Sequence, residues 1–256
     1  MESAIDAASS DKPVFRPFNP HGPLTVYTRN LPHWRQPGAT YFVTFRLDDS
    51  IPAKVLAAWL DSRDCFYRAH RINVDLRASD PQQFNENYRR IPAGIRRAFE
   101  REQAKMLHDE LDRCRGSCLL RHAEPRTIVI NALTHFHGQR LWLGDWVIMP
   151  NHVHALIIVS DNSELEHLLG SIKKWTSRRI DEWLALQPQE LQPPGPIHQK
   201  SRFWQYESYD RIVRDAVELT AFRRYIASNP QLANLAAGDF TYSAAPWLDG
   251  FAERPA

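Results

Sequence analysis

The chain has 256 residues, of which 43% are hydrophobic and 24% charged, values typical of a globular protein and incompatible with wholesale disorder. Lysine and arginine number 32 and aspartate and glutamate 30, so the net charge of +2 does not by itself indicate a nucleic-acid partner. No apolar run, residues 155–159 included, is long enough to cross a bilayer, and the first residues lack the apolar stretch of a secretory signal. Three cysteines do not make a disulfide framework, so we expect a reduced, cytoplasmic setting without a membrane partner.

The first half of the chain predicts one strand and two helices. Residues 1–38 are rich in Pro, Ser, Gly and Asn, which predicts an irregular segment. Residues 41–47 are dense in β-branched and aromatic residues, which favours a strand. A helix is predicted over residues 53–70, then a polar connection over 71–94, then a second, highly charged helix over 95–114.

The second half contains a predicted hairpin and two further helices. Residues 126–136 are ambiguous, because a β-branched run favours a strand while the apolar spacing favours a helix. Residues 141–149 and 152–159 are predicted strands joined by a turn at Pro150-Asn151.

An apolar stripe that includes Trp175 predicts a helix over residues 164–186, followed by a Pro-rich loop over 187–199. Asp215 and Glu218 form a capping box for a last helix that should end at Asn229, before Pro230.

Two histidines on the second hairpin strand form the sharpest local motif. Side chains alternate along a strand, so His152 and His154 point to the same face. Two imidazoles side by side can bind one metal ion if a third ligand comes from elsewhere in the chain. The pair could equally be two ordinary strand histidines.

A second motif lies on the last helix. Tyr225 and Asn229 are four residues apart and share one helix face, where they offer a hydroxyl and a neutral oxygen ligand. The alternative is that Tyr225 packs at an interface and that Asn229 ends the helix. Tyr206 and Tyr209 are rival tyrosines, but neither has an Asn or Gln four residues further on.

Basic residues with interleaved aromatic residues favour single-stranded nucleic acid, since cations bind phosphates and flat rings stack on bases. The alternative is a solvated helix face with core aromatic residues. The candidate DNA-binding residues are Lys173, Lys174, Arg178, Arg179, Arg202, Trp204, Tyr209, Arg211 and Arg214.

Cys114, Cys118 and His122 do not have the spacing of a usual zinc site. No phosphate-binding glycine loop is found either.

Four segments, taken in order, resemble those of a known family. Residues 38–47 resemble its opening strand, residues 146–154 its His-hydrophobic-His (HUH) strand, residues 203–215 its linker, and residues 224–230 its nucleophile helix. The family is that of the REP-associated tyrosine transposases, within the single-tyrosine HUH transposases of small bacterial insertion sequences. The resemblance covers about residues 31–235.

The resemblance implies an α+β fold with a ferredoxin-like core, in which an antiparallel sheet with a central HUH strand is flanked by helices. It also implies that residues 126–136 are helical. A single domain would then cover residues 39–235, with a helical insertion at about 53–121 that a minimal core does not need. Irregular tails over residues 1–38 and 236–256 would flank it.

The resemblance further implies that Tyr225 is a nucleophile and that His152, His154 and Asn229 bind Mg²⁺ or Mn²⁺. The implied reaction is cleavage and strand transfer of single-stranded DNA at palindromic hairpins, through a 5′-phosphotyrosine intermediate. The implied partner is single-stranded DNA with a hairpin, and the protein is expected to be a monomer or homodimer. Two alternatives stay open: a domesticated descendant that binds DNA hairpins without cleaving them, and an unrelated α+β protein with a structural metal.

Overall fold

The computed structural model describes residues 14–28, 32–188 and 203–251. Most of the predicted loop 187–199, and Arg202, therefore lie outside the described residues. The strands are β1 (Thr25–Thr28), β2 (Pro32–Arg35), β3 (Thr40–Arg46), β4 (Leu141–Ile148), β5 (His152–Val159), β6 (Tyr209–Ile212) and β7 (Thr241–Ser243). The helices are α1 (Ala53–Ala69), α2 (Leu76–Ser79), α3 (Pro81–Arg90), α4 (Ala93–Leu111), α5 (Ala123–His135), α6 (Leu165–Leu184) and α7 (Ala216–Leu232).

A five-stranded antiparallel sheet has the strand order β6-β3-β5-β4-β7. The chain runs through it as β3, α5, β4, β5, α6, β6, which is the β-α-β-β-α-β succession of a ferredoxin-like fold. Strand β5 is central, between β3 and β4. The predicted α+β class and the central position of the HUH strand are confirmed.

Alternate residues of each strand are buried on opposite faces of the sheet. On one face, Val153 and Ala155 of β5 pack with residues of α5 and α6 in the main core. On the other face, Phe42 and Leu156 pack against Leu219 and Ile226 of α7. Because side chains alternate along β5, His152 and His154 lie on the side of Leu156 and therefore face α7.

Residues 126–136 lie almost entirely within helix α5, as the resemblance implied and against their β-branched composition. Val129, Ala132 and Leu133 are buried in the main core. Burial of this apolar stripe against the sheet outweighs the weak local preference for a strand.

The predicted insertion contains α1 to α4 and has a small core of its own, built around Tyr67, Phe84 and Tyr88. The expectation of a polar connection over residues 71–94 is wrong, since α2 and α3 lie there. Pro81 begins α3, and Asp80 caps it by accepting a hydrogen bond from the backbone N–H of Gln83. Such a cap provides an acceptor for a backbone N–H group of the first helical turn, which has no partner within the helix.

Both predicted tails contain strands, so the expectation of irregular structure over residues 1–38 and 236–256 is wrong in part. β1 and β2 form an antiparallel pair, and β7 adds to the edge strand β4. These strands are three or four residues long, which is too short for a hydrophobic period. Long-range contacts stabilise them, including the ion pairs of Arg35 with Glu166 and Asp210.

Candidate active site

The two histidines of β5 meet at their Nε2 atoms. His152 and His154 are fully buried, and the two Nε2 atoms lie 3.0 Å apart. Nδ1 of His152 lies 2.7 Å from Oδ1 of Asn151, and Nδ1 of His154 lies 2.7 Å from the hydroxyl of Thr44. Asn151 donates its Nδ2 to the backbone oxygens of Leu111 and Arg115, so its Oδ1 accepts from His152 and leaves the His152 Nε2 lone pair available.

Burial keeps both imidazoles neutral. It lowers the pKa of His152 to about 3 and that of His154 well below its ordinary value. The His108 imidazole lowers the pKa of His152 further. The imidazoles of His152 and His108 lower the pKa of His154 in the same way. Neutral imidazole is the form that binds a metal ion.

Helix α7 brings Tyr225 to the histidines. Asp215 caps the helix through a hydrogen bond from the backbone N–H of Glu218. The Tyr225 hydroxyl lies 3.3 Å from Nε2 of His154. Pro230 lies inside α7 instead of ending it, because the last turn continues through a hydrogen bond from Ala233 N–H to the Asn229 carbonyl.

Asn229 lies one turn further along α7 and is fully buried. Its Nδ2 donates to Oδ1 of Asp112 at 2.8 Å. Its own Oδ1 is buried without a hydrogen-bond partner among the residues that the structure describes. A buried carbonyl-type oxygen without a partner is costly, and a cation would satisfy it.

Helix α4 of the insertion adds two residues that the sequence patterns did not predict. Asp112 follows α4 directly, and its Oδ1 also accepts from the Tyr225 hydroxyl at 3.3 Å. His108, one turn before it, stacks on the Tyr225 ring with centroids 5.4 Å apart. This His–Asp pair has the same i, i+4 spacing as Tyr225 and Asn229, but the spacing alone does not place it at the site.

The donor set fits one divalent cation. Asp112, His152 and His154 each offer a ligand atom, and these atoms lie within 4.8 Å of one another. The 3.0 Å between the two Nε2 atoms suits neighbouring ligands of one octahedral ion with bonds of about 2.1 Å. The Asn229 side chain acts on the pKa of His152, and its unpartnered Oδ1 offers a further oxygen ligand. The four predicted residues Tyr225, His152, His154 and Asn229 thus lie together.

The surroundings of Tyr225 raise the pKa of its phenol above the ordinary value. Burial raises it most and the Asp112 carboxylate raises it further, while the Asn229 side chain offsets part of the rise. The phenol therefore keeps its proton at neutral pH.

The predicted basic residues of α6 lie on its outer face. Lys174 is exposed, while Nζ of Lys173 donates to the backbone oxygens of Gln205 and Tyr206. Arg178 and Arg179 are exposed and both pair with Glu182, at 3.7 and 2.6 Å. Trp175, expected in the core, is 41% exposed among them, since Thr176 occupies the buried position.

The linker residues have different environments. Trp204 is 3% exposed, packs against Phe45 and donates its indole N–H to Thr176. Its ring is therefore not presented to a base, which corrects its prediction as a DNA contact. Tyr209 packs edge-to-face on His108, with ring centroids 5.3 Å apart.

Arg211 and Arg214 line a cavity of about 310 Å³ between the insertion and β6. Arg211 pairs with Glu218 at 2.6 Å, whereas Arg97 adds an exposed guanidinium to the same cavity. A second cavity, of about 1190 Å³, is lined by Lys173 and Lys174.

The family model described as "Transposase IS200 like" matches residues 133–229. The chain resembles the IS200-like transposases. The predicted family resemblance is confirmed, and the matched segment contains all four predicted residues of the centre. Asp112 lies outside that IS200-like segment.

A solved structure described as "Structure of the REP associates tyrosine transposase bound to a REP hairpin" is similar to this chain. The sequences are 13% identical, the match covers 76% of this chain and 68% of the other, and the TM-score is 0.35. No curated protein matches the chain. Within the described residues, no helix has the length and apolar character needed to cross a membrane.

Proposed function

We propose that the protein is a transposase that cleaves and rejoins single-stranded DNA at hairpins, with Tyr225 as the nucleophile. One observation supports this most: the Tyr225 hydroxyl lies 3.3 Å from Nε2 of His154, beside a group of side chains that could hold a metal ion. The match of residues 133–229 to IS200-like transposases supports the same class of chemistry.

In the proposed reaction, Oη of Tyr225 attacks the phosphorus of the scissile phosphodiester. A bond forms between Oη and phosphorus, and the bond from phosphorus to the 3′ oxygen breaks. The phenol loses its proton and the leaving 3′ oxygen gains one, so a 5′-phosphotyrosine and a free 3′-hydroxyl result. Attack by another 3′-hydroxyl reverses the step and joins a new strand, with no nucleotide triphosphate needed.

His152, His154 and Asn229 would hold Mg²⁺ or Mn²⁺. When bound, the cation neutralises charge on the scissile phosphate and favours the phenolate, which the protein alone disfavours. Two imidazole ligands favour Mn²⁺ over Mg²⁺, since imidazole suits transition metals better.

Single-stranded DNA would bind through cations on two surfaces. The outer face of α6 presents Lys174 and Arg178 beside the exposed ring of Trp175. The cavity at β6 presents Arg97 and Arg214, and it is also lined by Tyr209, which packs on His108. Such contacts neutralise phosphates and make affinity depend steeply on salt.

A second function, hairpin binding without cleavage, is favoured by one observation. The Asp112 carboxylate lies 3.3 Å from the Tyr225 hydroxyl, where it opposes both phenolate formation and an approaching phosphate.

Labelled single-stranded hairpin oligonucleotides taken from the DNA on either side of the gene, incubated with Mn²⁺, separate the two functions. We expect an SDS-resistant protein–DNA adduct on the fragment 3′ of the cut, absent in Tyr225→Phe and present in the control Tyr206→Phe, whose side chain is exposed. Tight hairpin binding without any adduct in the wild type would support the non-cleaving function instead.

A further inference from the structure

We propose that Asp112, contributed by the helical insertion, is a positioning residue of the active site. Its carboxylate orients the Asn229 carboxamide toward the histidines and holds the Tyr225 phenol in place. The role of the Tyr225 contact rests on the proposed function, whereas the orientation of Asn229 concerns metal binding alone.

Asp112 determines which end of the Asn229 side chain is left to face a cation. A carboxamide has a donor end and an acceptor end of nearly the same shape, so its neighbours decide which end points where. A carboxylate oxygen accepts hydrogen bonds, and Oδ1 of Asp112 lies 2.8 Å from Nδ2 of Asn229. This contact leaves Oδ1 as the end of the Asn229 side chain that is buried without a hydrogen-bond partner among the described residues. Without Asp112 the amide could rotate and present N–H groups, which repel a cation.

Asp112 and His108 also contact Tyr225. The same Asp112 oxygen lies 3.3 Å from the Tyr225 hydroxyl, and His108, one turn back in α4, stacks on the ring. One helix thus contacts both the hydroxyl and the flat face of the proposed nucleophile. Preorganisation of this kind lowers the entropic cost of reaching an attacking geometry.

Apolar packing and a hydrogen bond from Asn151 anchor the end of α4. Leu107 and Leu111 are buried beside Ile51, in a small apolar cluster. Asn151 donates its Nδ2 to the carbonyl of Leu111 at 3.3 Å, and its Oδ1 accepts from the neighbouring His152. One side chain therefore connects the insertion with a metal-binding histidine. Asn151 therefore links the position of the end of α4 to that of His152 on the HUH strand, β5.

Asp112 lies outside the segment that matches IS200-like transposases. The insertion therefore does more than extend the fold, because it supplies the group that orients a residue of the matched segment.

The test measures Mn²⁺ affinity without DNA, by isothermal titration, for Asp112→Asn, Asp112→Ala and Asp112→Leu. Asparagine keeps an oxygen acceptor for Asn229, so we expect its affinity to stay within about threefold of the wild type. Alanine and leucine remove the acceptor, and loss of an outer-shell partner weakens metal binding about 10- to 100-fold. The control is Asp109→Asn, since Asp109 is exposed on the same helix and pairs with Lys105.

Two outcomes would overturn the proposal. Unchanged Mn²⁺ affinity in a folded Asp112→Ala or Asp112→Leu protein would show that Asn229 needs no partner. Equal losses in the asparagine and alanine variants would make Asp112 a direct ligand. Circular dichroism checks that each variant folds. If the Asp112→Ala protein does not fold, the near-isosteric Asp112→Leu protein is used for the comparison.

The adduct assay is run in parallel on the same variants. If the wild type forms no adduct but the Mn²⁺ affinities of the Asp112 variants change as expected, the proposed function fails and the positioning role stands.

Discussion

Thr44 and His154 lie directly opposite each other on adjacent antiparallel strands, and the Thr44 hydroxyl is 2.7 Å from Nδ1 of the histidine. This pairing places a polar partner on the far side of the ring from Tyr225. With Nδ1 donating to Thr44, Nε2 keeps its lone pair for a metal ion. The register of β3 against β5 therefore contributes to the chemistry of the site.

Replacement of Thr44 by valine tests that relationship. Valine has nearly the same shape but no hydroxyl, so the ring keeps its space and loses its partner. We expect Mn²⁺ affinity to fall about 10-fold, as for loss of an outer-shell partner. Isothermal titration measures it, with Thr127→Val, at an exposed position on α5, as the control. Unchanged affinity in Thr44→Val would contradict the role assigned to the hydroxyl.

The cavity between the insertion and β6 predicts where single-stranded DNA binds. Arg97→Ala and Arg214→Ala should each weaken hairpin binding and reduce the slope of log affinity against log salt by about 0.7, the value for one single-strand phosphate contact. Fluorescence anisotropy in the Tyr225→Phe background measures binding without cleavage. Arg101→Ala is the matched control, since Arg101 is exposed on α4 but does not line the cavity. If all three variants behave alike, the cavity is not the binding surface.

A buried ion cluster at β2 predicts a pH dependence of stability. Burial alone would lower the pKa of His33, but hydrogen bonds to Asp210 and Glu207 raise it to about 9. The folded protein thus holds this proton more tightly than the unfolded chain, whose histidine has a pKa of about 6.5. The cluster's contribution is complete below about pH 6.5 and is lost as the pH rises through about 9.

Urea unfolding over that range should therefore show a falling free energy of unfolding. His33→Gln should lower stability at about pH 6.5 and flatten the decline, while His21→Gln, at an exposed position, should leave it unchanged. A wild-type protein whose stability rises over the same range would contradict the assignment.

Much of the site could be predicted from the sequence because its four members lie at local spacings. Strand alternation puts His152 and His154 on one face of β5. The i, i+4 spacing puts Tyr225 and Asn229 on one face of α7. The family resemblance then predicted that these two pairs share one site.

Asp112 could not be predicted in this way. It lies 117 residues from Asn229 along the chain, and only the packing of α4 brings them together. The same reason applies to His108, whose stacking on Tyr225 is a long-range contact.

Other sequence predictions failed where local composition was a poor guide. Trp204 looked like a stacking ring beside arginines, but an aromatic residue also fills cores, and here it packs against Phe45. Strands β1, β2 and β7 are too short to show a period, and long-range pairing defines them.

The most direct test of the central claim is to locate the covalent bond to DNA. The adduct formed with a hairpin oligonucleotide and Mn²⁺ is digested with nuclease and trypsin, and mass spectrometry finds the residue that carries the 5′-nucleotide. We predict that the modified residue is Tyr225. A nucleotide on Tyr209 or Tyr206, or an adduct that persists in Tyr225→Phe, would contradict the assignment of the nucleophile.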